Sequence, residues 1–595
     1  MEKKFIYKNI DFIKLPMHFI PVQTIFSIVY TIANALMPAY ETVVLADFID
    51  CAMDIFGGKR NASEIIRPIV MIVLYILFVN LMPSIVNIIS LTGKNKMTVK
   101  IKDLILNKRS LLEYKHMEDA QTQDLIKRVC SDPVEDFSKG FDNILSAVSI
   151  LISTVSLLII IMTSAFISGI VILAVSIPLF AIAMKTGKKN YEMGKEAKKI
   201  QRRYDYLGTV LTEREYAHER KLFGYSESLR RDYDDLYNQS YQIKSKIEKK
   251  TYANMKSGSI VTLLIIAVIV LILLPSLGSG KMSIGIFIAL VNALFGLVQA
   301  MSWRLSGIMG EYSRLQEYLK DLNSFFALSE KEDACVRPSR RENFVFDSLE
   351  FDHVSFKYPG TDNYVLKNCS FLLQSGNSYS FVGVNGAGKS TIMKLIIGLY
   401  DDYEGEILLN RISIRKYDYA AVKGIISVLF QDFTSYQISM KDNITIGRDM
   451  NFNKEEVENI ISQVGQKELV RELNEGLETP LGKVKEDGVD ISGGQWQRIA
   501  IARLLYSKAQ INILDEPTAA LDSVAESQVY EMFHRVNKNR FTIYITHRLG
   551  AAKISDEIFV VDGGRIAESG SHEKLMKIQG GLYHKMFDSQ KSWYE

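Results

Sequence analysis

The sequence predicts an α-helical polytopic membrane domain, with six transmembrane helices and long cytoplasmic extensions, followed by a soluble α/β domain built around a phosphate-binding loop. Three observations carry this. Apolar residues in the first half are gathered into six long runs, two long basic stretches separate them, and the motif Gly383-Val-Asn-Gly-Ala-Gly-Lys-Ser390 follows an apolar strand in the second half. At 595 residues the chain exceeds the roughly 250 to 300 residues that one hydrophobic core sustains, so a small binding module is excluded. The 71 basic and 68 acidic residues nearly cancel to a formal +3, which argues against a strongly basic nucleic-acid binder. Cys51, Cys130, Cys335 and Cys369 have no ligand-like spacing, so neither a zinc site nor a disulfide framework is implied.

A hydrocarbon core about 30 Å thick is crossed by about 20 mainly apolar helical residues. The six runs are Phe19 to Ala46, Ile65 to Ile89, Ile144 to Thr163, Phe166 to Lys185, Ser257 to Leu274 and Ile284 to Leu305. The start MEKKFIYKNIDFIKL lacks a small-residue cleavage site, so it reads as a retained anchor. Lys94, Lys96, Lys100, Lys102, Lys108 and Arg109 lie between the second and third runs. Lys188, Lys189, Lys198, Lys199, Arg202 and Arg203 lie between the fourth and fifth. By the positive-inside rule both stretches are cytoplasmic. The short outer links carry only Lys59, Arg60 and Lys281 as basic residues. Helical periodicity continues through the polar stretches, so the membrane helices are expected to extend into the cytoplasm and fold back as two hairpin arms.

The division expected is a transmembrane domain over 1–320, a linker over 321–340 with Pro338 near its end, and a nucleotide-binding domain over 341–595. The last alternates apolar strands (Tyr379 to Val384, Gly424 to Phe430, Ile511 to Asp515, Thr542 to Thr546, Ile558 to Val561) with helical stretches, the pattern of a mainly parallel sheet.

The phosphate loop explains its own composition. Backbone N–H groups along Gly383, Asn385, Gly386, Ala387 and Gly388 can wrap phosphates, with Thr391 in the helix behind them. Lys389 reaches the β- and γ-phosphates, and Ser390 ligates Mg²⁺. Further on, Ile511-Asn-Ile-Leu-Asp-Glu516 is an apolar strand ending in two carboxylates. Asp515 is placed to hold Mg²⁺ through its water shell, and Glu516 to orient or deprotonate the attacking water. Ser492, Gly493, Gly494 and Gln495 open a second helix whose start can take an anion. One phosphate chain does not need two such cradles in one domain. The economical reading is that this helix start serves a nucleotide held by a second subunit.

Together these residues resemble the ABC transporter superfamily, and the six-helix half followed by this domain resembles its exporter-type half-transporters. Ile491-Ser-Gly-Gly-Gln495 is similar to the signature LSGGQ, with Ile for Leu. The resemblance implies further roles. Gln431, in VLFQDF, becomes the Q-loop residue that senses and ligates Mg²⁺. His547, in ITHRL, becomes the switch histidine at the γ-phosphate. Tyr358, in FKYPG, becomes the aromatic that stacks on adenine. Asp522, in AALD, becomes the D-loop residue linking the two sites of a dimer. Ala519 stands where the family usually has Ser, and Gly482 to Gly488 only loosely matches the loop before the signature. His116 to Gln121 and Thr212 to Phe223 resemble the two coupling-helix regions. Glu516, Ser492 and His547 are all present, which implies hydrolysis-competent sites in a homodimer, although a heterodimer stays open.

The function so implied is ATP-driven export across the bacterial cytoplasmic membrane, by alternating access, in a dimer of half-transporters using ATP and Mg²⁺. The cargo expected is a peptide or an amphipathic or hydrophobic small molecule; with no peptidase domain ahead of the first run, a peptide would arrive already processed. A lipid or lipid-linked-precursor flippase, and a non-transporting membrane ATPase that senses a ligand, are the alternatives. Within the apolar runs, Glu41, Asn80, Asn292, Gln299 and Trp303 are the candidate cargo residues, because polar groups there face protein or a cavity. Glu41 would favour a cationic cargo.

Overall fold

The computed structural model describes residues 6–164, 166, 170, 196–278, 280, 282–299, 304–331, 333–339, 344–447, 452–516 and 541–591. It divides into two compact units. The first comprises Met1–Asn107 and Asp124–Ala327, the second Lys108–Gln123 and Leu328–Glu595.

The first unit is helical. Helices Pro21–Phe56, Ala62–Leu111 and Pro133–Thr163 are each long and apolar enough to cross a membrane, with shorter apolar helices at Ile266–Gly278 and Ile284–Gly296. The run Phe166 to Lys185 lies outside the described residues, apart from Phe166 and Ile170. Helices suit these runs because in hydrocarbon every backbone group must find a partner within its own segment. Two helices extend far past a bilayer. Ile66–Leu111 has 46 residues and Ser226–Gly278 has 53, about 70 and 80 Å at the helical rise, as expected of arms.

Small residues bring these helices close. A Cβ at Gly285 would stand 2.3 Å from the Ala46 carbonyl oxygen, and Asp50 Oδ1 accepts from the Gly285 N–H at 2.8 Å. Helices Pro21–Phe56 and Ile284–Gln299 therefore pack backbone to backbone, as small residues allow in membranes. The short helix Asp11–Phe19 is anchored by Phe12, which is fully buried, 5.5 Å from the Phe137 ring and seated over Gly140.

The second unit contains two sheets. Strands β1 (Ser348–Phe356), β2 (Leu366–Gln374), β4 (Glu404–Leu409) and β5 (Ile412–Ser413) form an antiparallel sheet in the order β2-β1-β4-β5. Strands β3 (Ser378–Val382), β6 (Ile426–Leu429), β7 (Ile511–Asp515), β8 (Phe541–Ile545), β9 (Glu557–Asp562) and β10 (Arg565–Gly570) form the other, ordered β10-β9-β3-β8-β7-β6. This sheet is parallel except for β10, which pairs antiparallel at one edge. The expectation of a mainly parallel sheet holds for it, and the antiparallel sheet is an addition. Gly424 and Ile425, expected in a strand, end helix Tyr419–Ile425 instead, and β6 starts only at Ile426; Asp418 caps the start of that helix by accepting from the Ala420 N–H.

Between the sheets lies an aromatic core in which Phe371 and Phe381 are 5.1 Å apart and Phe381 and Phe559 5.3 Å. The register aligns the carboxyl ends of the central strands: Phe381 pairs with Ile545, and Ile545 with Asp515. Gly383, Glu516 and His547 therefore leave the sheet along one edge, where parallel α/β sheets place their ligands.

Residues Lys108–Gln123 belong to this unit although helix Ile66–Leu111 runs into them. Lys108 Nζ donates to the Leu328 carbonyl at 2.7 Å and pairs with Glu330. Leu112 forms an isolated bridge with Glu330. The short helix Lys115–Glu118 follows.

Candidate nucleotide site

The phosphate loop connects β3 to helix Lys389–Ile396. Gly383, Gly386 and Gly388 have φ of +154°, +80° and +111°, a region that favours glycine. At Gly383 a Cβ would also stand 2.2 Å from the Val561 carbonyl oxygen. Two requirements thus fix the same residue type. Asn385 and Ser390 are exposed, Ala387 and Thr391 buried. Lys389 is 7% exposed and folds back over its loop, donating to the Gly383 carbonyl at 2.7 Å and the Val384 carbonyl at 3.1 Å. Burial lowers its pKa, opposed by Glu516 and Asp515.

Asp515 is the last residue of β7 and Glu516 the next. Asp515 is 6% exposed, and burial, with Glu516 beside it, pushes its carboxyl up to about 6. Glu516 turns the chain with φ of +47°, its N–H donating to the Ile545 carbonyl at 2.9 Å. Its Oε1 lies 2.6 Å from His547 Nδ1. The histidine is set from behind, because Gln590 Nε2 donates to its carbonyl at 2.6 Å. Phosphate loop, Asp515, Glu516 and His547 are thus brought together. Gln431 is exposed just past β6, and its neighbour Asp432 adds to the field on Asp515, a contribution the sequence reading passed over.

Tyr358 hydrogen-bonds through its hydroxyl to Thr391 Oγ1 at 2.9 Å. Ser492 caps helix Gly493–Tyr506: its N–H donates to Gln495 Oε1 at 2.8 Å while its Oγ accepts from the Gln495 N–H at 3.3 Å. This capping box fixes the side chains of Ser492 and Gln495 at the helix start, with Gly493 and Gly494 in its first turn. Asp522 lies outside the described residues.

In the first unit, a cavity of about 960 Å³ has a mainly apolar wall that also carries charged residues such as Lys94, Asp142 and Glu311, with hydroxyls and amides from Thr31, Asn34, Asn143 and Ser146 set among them. Glu41, Asn80 and Asn292 do not line it. Glu41 Oε2 accepts from the Tyr75 hydroxyl at 2.7 Å. Asn80 Nδ2 donates to the Ile76 carbonyl of its own helix at 2.8 Å, and Asn292 is exposed. Trp303 and the side chain of Gln299 lie outside the described residues. Thr31 and Asn34 on one helix, and Ser146 and Ser149 on another, stand at helical spacing within the apolar runs, with Asn143 just ahead of the third run, and are not among the candidates read from sequence.

Residues 366–519 match a family model described as ABC transporter. The subtilin transport ATP-binding protein of Bacillus subtilis is 30% identical over 573 residues, covering 94% of this chain and 90% of that protein. The nisin transport ATP-binding protein of Lactococcus lactis subsp. lactis is 28% identical over 568 residues, 93% of this chain and 91% of that protein. A solved structure of a bacterial Atm1-family ABC exporter with ATP bound superposes with a TM-score of 0.73 at 24% identity, covering 95% of this chain and 98% of that one.

Proposed function

Because the chain belongs to the ABC transporter family, as an exporter-type half-transporter, we propose that two copies pair and export a peptide. It is a multi-pass membrane protein with a cytoplasmic ATPase domain that binds ATP, couples hydrolysis to export and works with a second subunit. The homodimer, the cargo and the residue roles are our reading.

The observation that carries the roles is the meeting of the phosphate loop with the Glu516–His547 pair at one sheet edge. Glycine N–H groups of the loop hold the phosphates, and Lys389 exchanges its two carbonyl partners for the β- and γ-phosphates. The donor set also fits Mg²⁺. Two adjacent carboxylates, one of them buried, face a single partly desolvated lysine, an arrangement short of positive charge. Ser390, Gln431 and Asp515 are the residues that would hold the ion, which neutralises phosphate charge. Glu516 accepts the proton of the attacking water, and His547 orients Glu516 and meets the γ-phosphate. Ser492 to Gln495 and Asp522 act across the dimer on the partner's nucleotide. ATP drives the cycle by binding the closed dimer better than the open one.

A peptide cargo is supported by the two relatives, which transport subtilin and nisin, and by the mainly apolar cavity, whose scattered hydroxyls and amides can hydrogen-bond a backbone. The test is ATPase activity of the purified chain in nanodiscs, wild type beside Glu516→Gln, with peptides, cationic drugs and lipids added. Activity from the chain alone, lost in the variant and stimulated by peptides, is the expected result. Stimulation by lipids alone would overturn the cargo assignment, and silence without a second polypeptide would overturn the homodimer.

A further inference from the structure

Resting on the reading of Tyr358 as the adenine platform, we propose that the arm segment Glu113–Glu118 completes the base end of the nucleotide site, with Glu118 as a positioning residue that holds Tyr358 through Tyr400 and Lys394.

A ring that accepts a base must be fixed in orientation, and Tyr358 is fixed on several sides. Its hydroxyl bonds Thr391. The Phe356 ring meets it edge-on at 5.2 Å and the Tyr400 ring at 5.7 Å and 81°. Lys394 Nζ stands 5.3 Å from its centroid, within cation–π range. Tyr400 and Lys394 are in turn held by one carboxylate. Glu118 Oε1 accepts from Lys394 Nζ at 2.5 Å, and its other oxygen accepts from the Tyr400 hydroxyl. Tyr114, on the same segment, meets Tyr400 edge-on at 5.6 Å and donates to Glu118 Oε1 at 3.2 Å. Burial would raise the Glu118 carboxyl, but Lys394 and Tyr400 outweigh it and hold it below its ordinary value. The carboxylate therefore stays charged at neutral pH.

The same segment walls a cavity. Beside Tyr358 lies a space of about 940 Å³ bounded on one side by Glu113, Tyr114 and Lys115, on another by the Tyr358–Asp362 turn, and closed by Tyr400 to Glu404. Since the segment continues from helix Ile66–Leu111, whatever sets it is felt along that helix. Coupling of this kind is reciprocal. If the Glu118 contacts raise the affinity of the site for the base, base binding strengthens those contacts by the same factor. The arm segment thus senses the base through Tyr358, by a route that does not pass through Gln431.

The experiment separates base from phosphates. Full-length protein in nanodiscs is assayed for its KM for ATP and for the inhibition constant of magnesium tripolyphosphate, which carries the phosphates without a base. Wild type, Glu118→Gln, Tyr400→Phe and Tyr358→Ala are compared. Expected is a rise of about five-fold or more in KM for ATP in Glu118→Gln, a smaller rise in Tyr400→Phe, and an unchanged constant for tripolyphosphate in both. A Glu118→Gln protein with the wild-type KM would overturn the proposal. So would an equal loss for both ligands, which marks a merely structural contact. Should Tyr358→Ala bind ATP as the wild type does, the platform reading itself fails, and that outcome is distinct from failure of Glu118 alone.

Discussion

Glu516 Oε1 and His547 Nδ1 are 2.6 Å apart, so the residue that follows β7 and the residue just beyond β8 hold each other's side chains. On the proposed reading both act at one reacting centre, and each is also fixed from the backbone side, by Ile545 and Gln590. Removing the base should cost what general base catalysis supplies, about 10²- to 10⁴-fold in turnover. Glu516→Gln is expected to lose that much while still binding ATP, and His547→Ala to lose turnover as well. Steady-state ATPase assays beside ATP binding check both. Near-normal turnover in Glu516→Gln would remove Glu516 from the mechanism.

The phosphate loop offers a sharper geometric test, because its glycines are required for different reasons. Gly386, at φ of +80°, has nothing within 4 Å of an added Cβ. Gly386→Ala meets only the backbone cost of a left-handed residue, about 1 to 2 kcal/mol. At Gly383 the same change drives a methyl against the Val561 carbonyl at 2.2 Å, a backbone atom that cannot step aside. Gly383→Ala should therefore abolish ATP binding and lower the melting temperature, with Gly386→Ala between it and wild type. Equal behaviour of the two variants would contradict the collision.

How much of this could be read from sequence depended on the range of the interaction. β7 was legible residue for residue, since Ile511–Asp515 is buried throughout and a doubly covered strand is a continuous apolar run. β2 was not legible, because LKNCSFLLQ breaks the period of two: Lys367 and Asn368 are exposed in succession, and the apolar Leu372 faces outward between buried Phe371 and Leu373. The site motifs were legible because strand, loop and helix lie within a few residues of one another. By contrast, Glu118 and Tyr400 are 282 positions apart, and no local pattern announces such a contact. For the same reason no local pattern around Glu41 announces Tyr75, whose hydroxyl donates to it from the next helix.

The cavity of about 960 Å³ gives the cargo proposal a test that does not depend on Glu41. Ser146 lines it, and Ser146→Trp projects a large ring into the space in place of a small hydroxyl. The ratio of peptide-stimulated to basal ATPase should fall towards one in this variant, measured in nanodiscs over a range of peptide concentrations. Full stimulation at the wild-type half-saturating concentration would move the cargo elsewhere.

His116 makes the arm segment sensitive to acid, in a direction that can be worked out. Its Nε2 lies 2.9 Å from Ser329 Oγ. Its pKa is lowered first by burial and then by Lys115, with Lys108 adding to the effect, against weaker opposition from Glu113 and Asp119. The folded form therefore binds a proton less readily than the unfolded one, and stability grows with pH over the interval between the two pKa values. The contribution is complete above the ordinary histidine value of about 6.5 and is lost as pH falls through the lower folded value. Hydrogen exchange of Lys115–Glu118, corrected for the intrinsic rate, should accelerate below about pH 6.5 in the wild type and show less pH dependence in His116→Gln, which keeps a polar side chain without the titrating ring. Glu118 titrates too, but its carboxyl is held below its ordinary value, so its contribution fails only in stronger acid. The two groups thus separate along the pH axis. Acceleration that persists unchanged in His116→Gln would assign the acid sensitivity to another group.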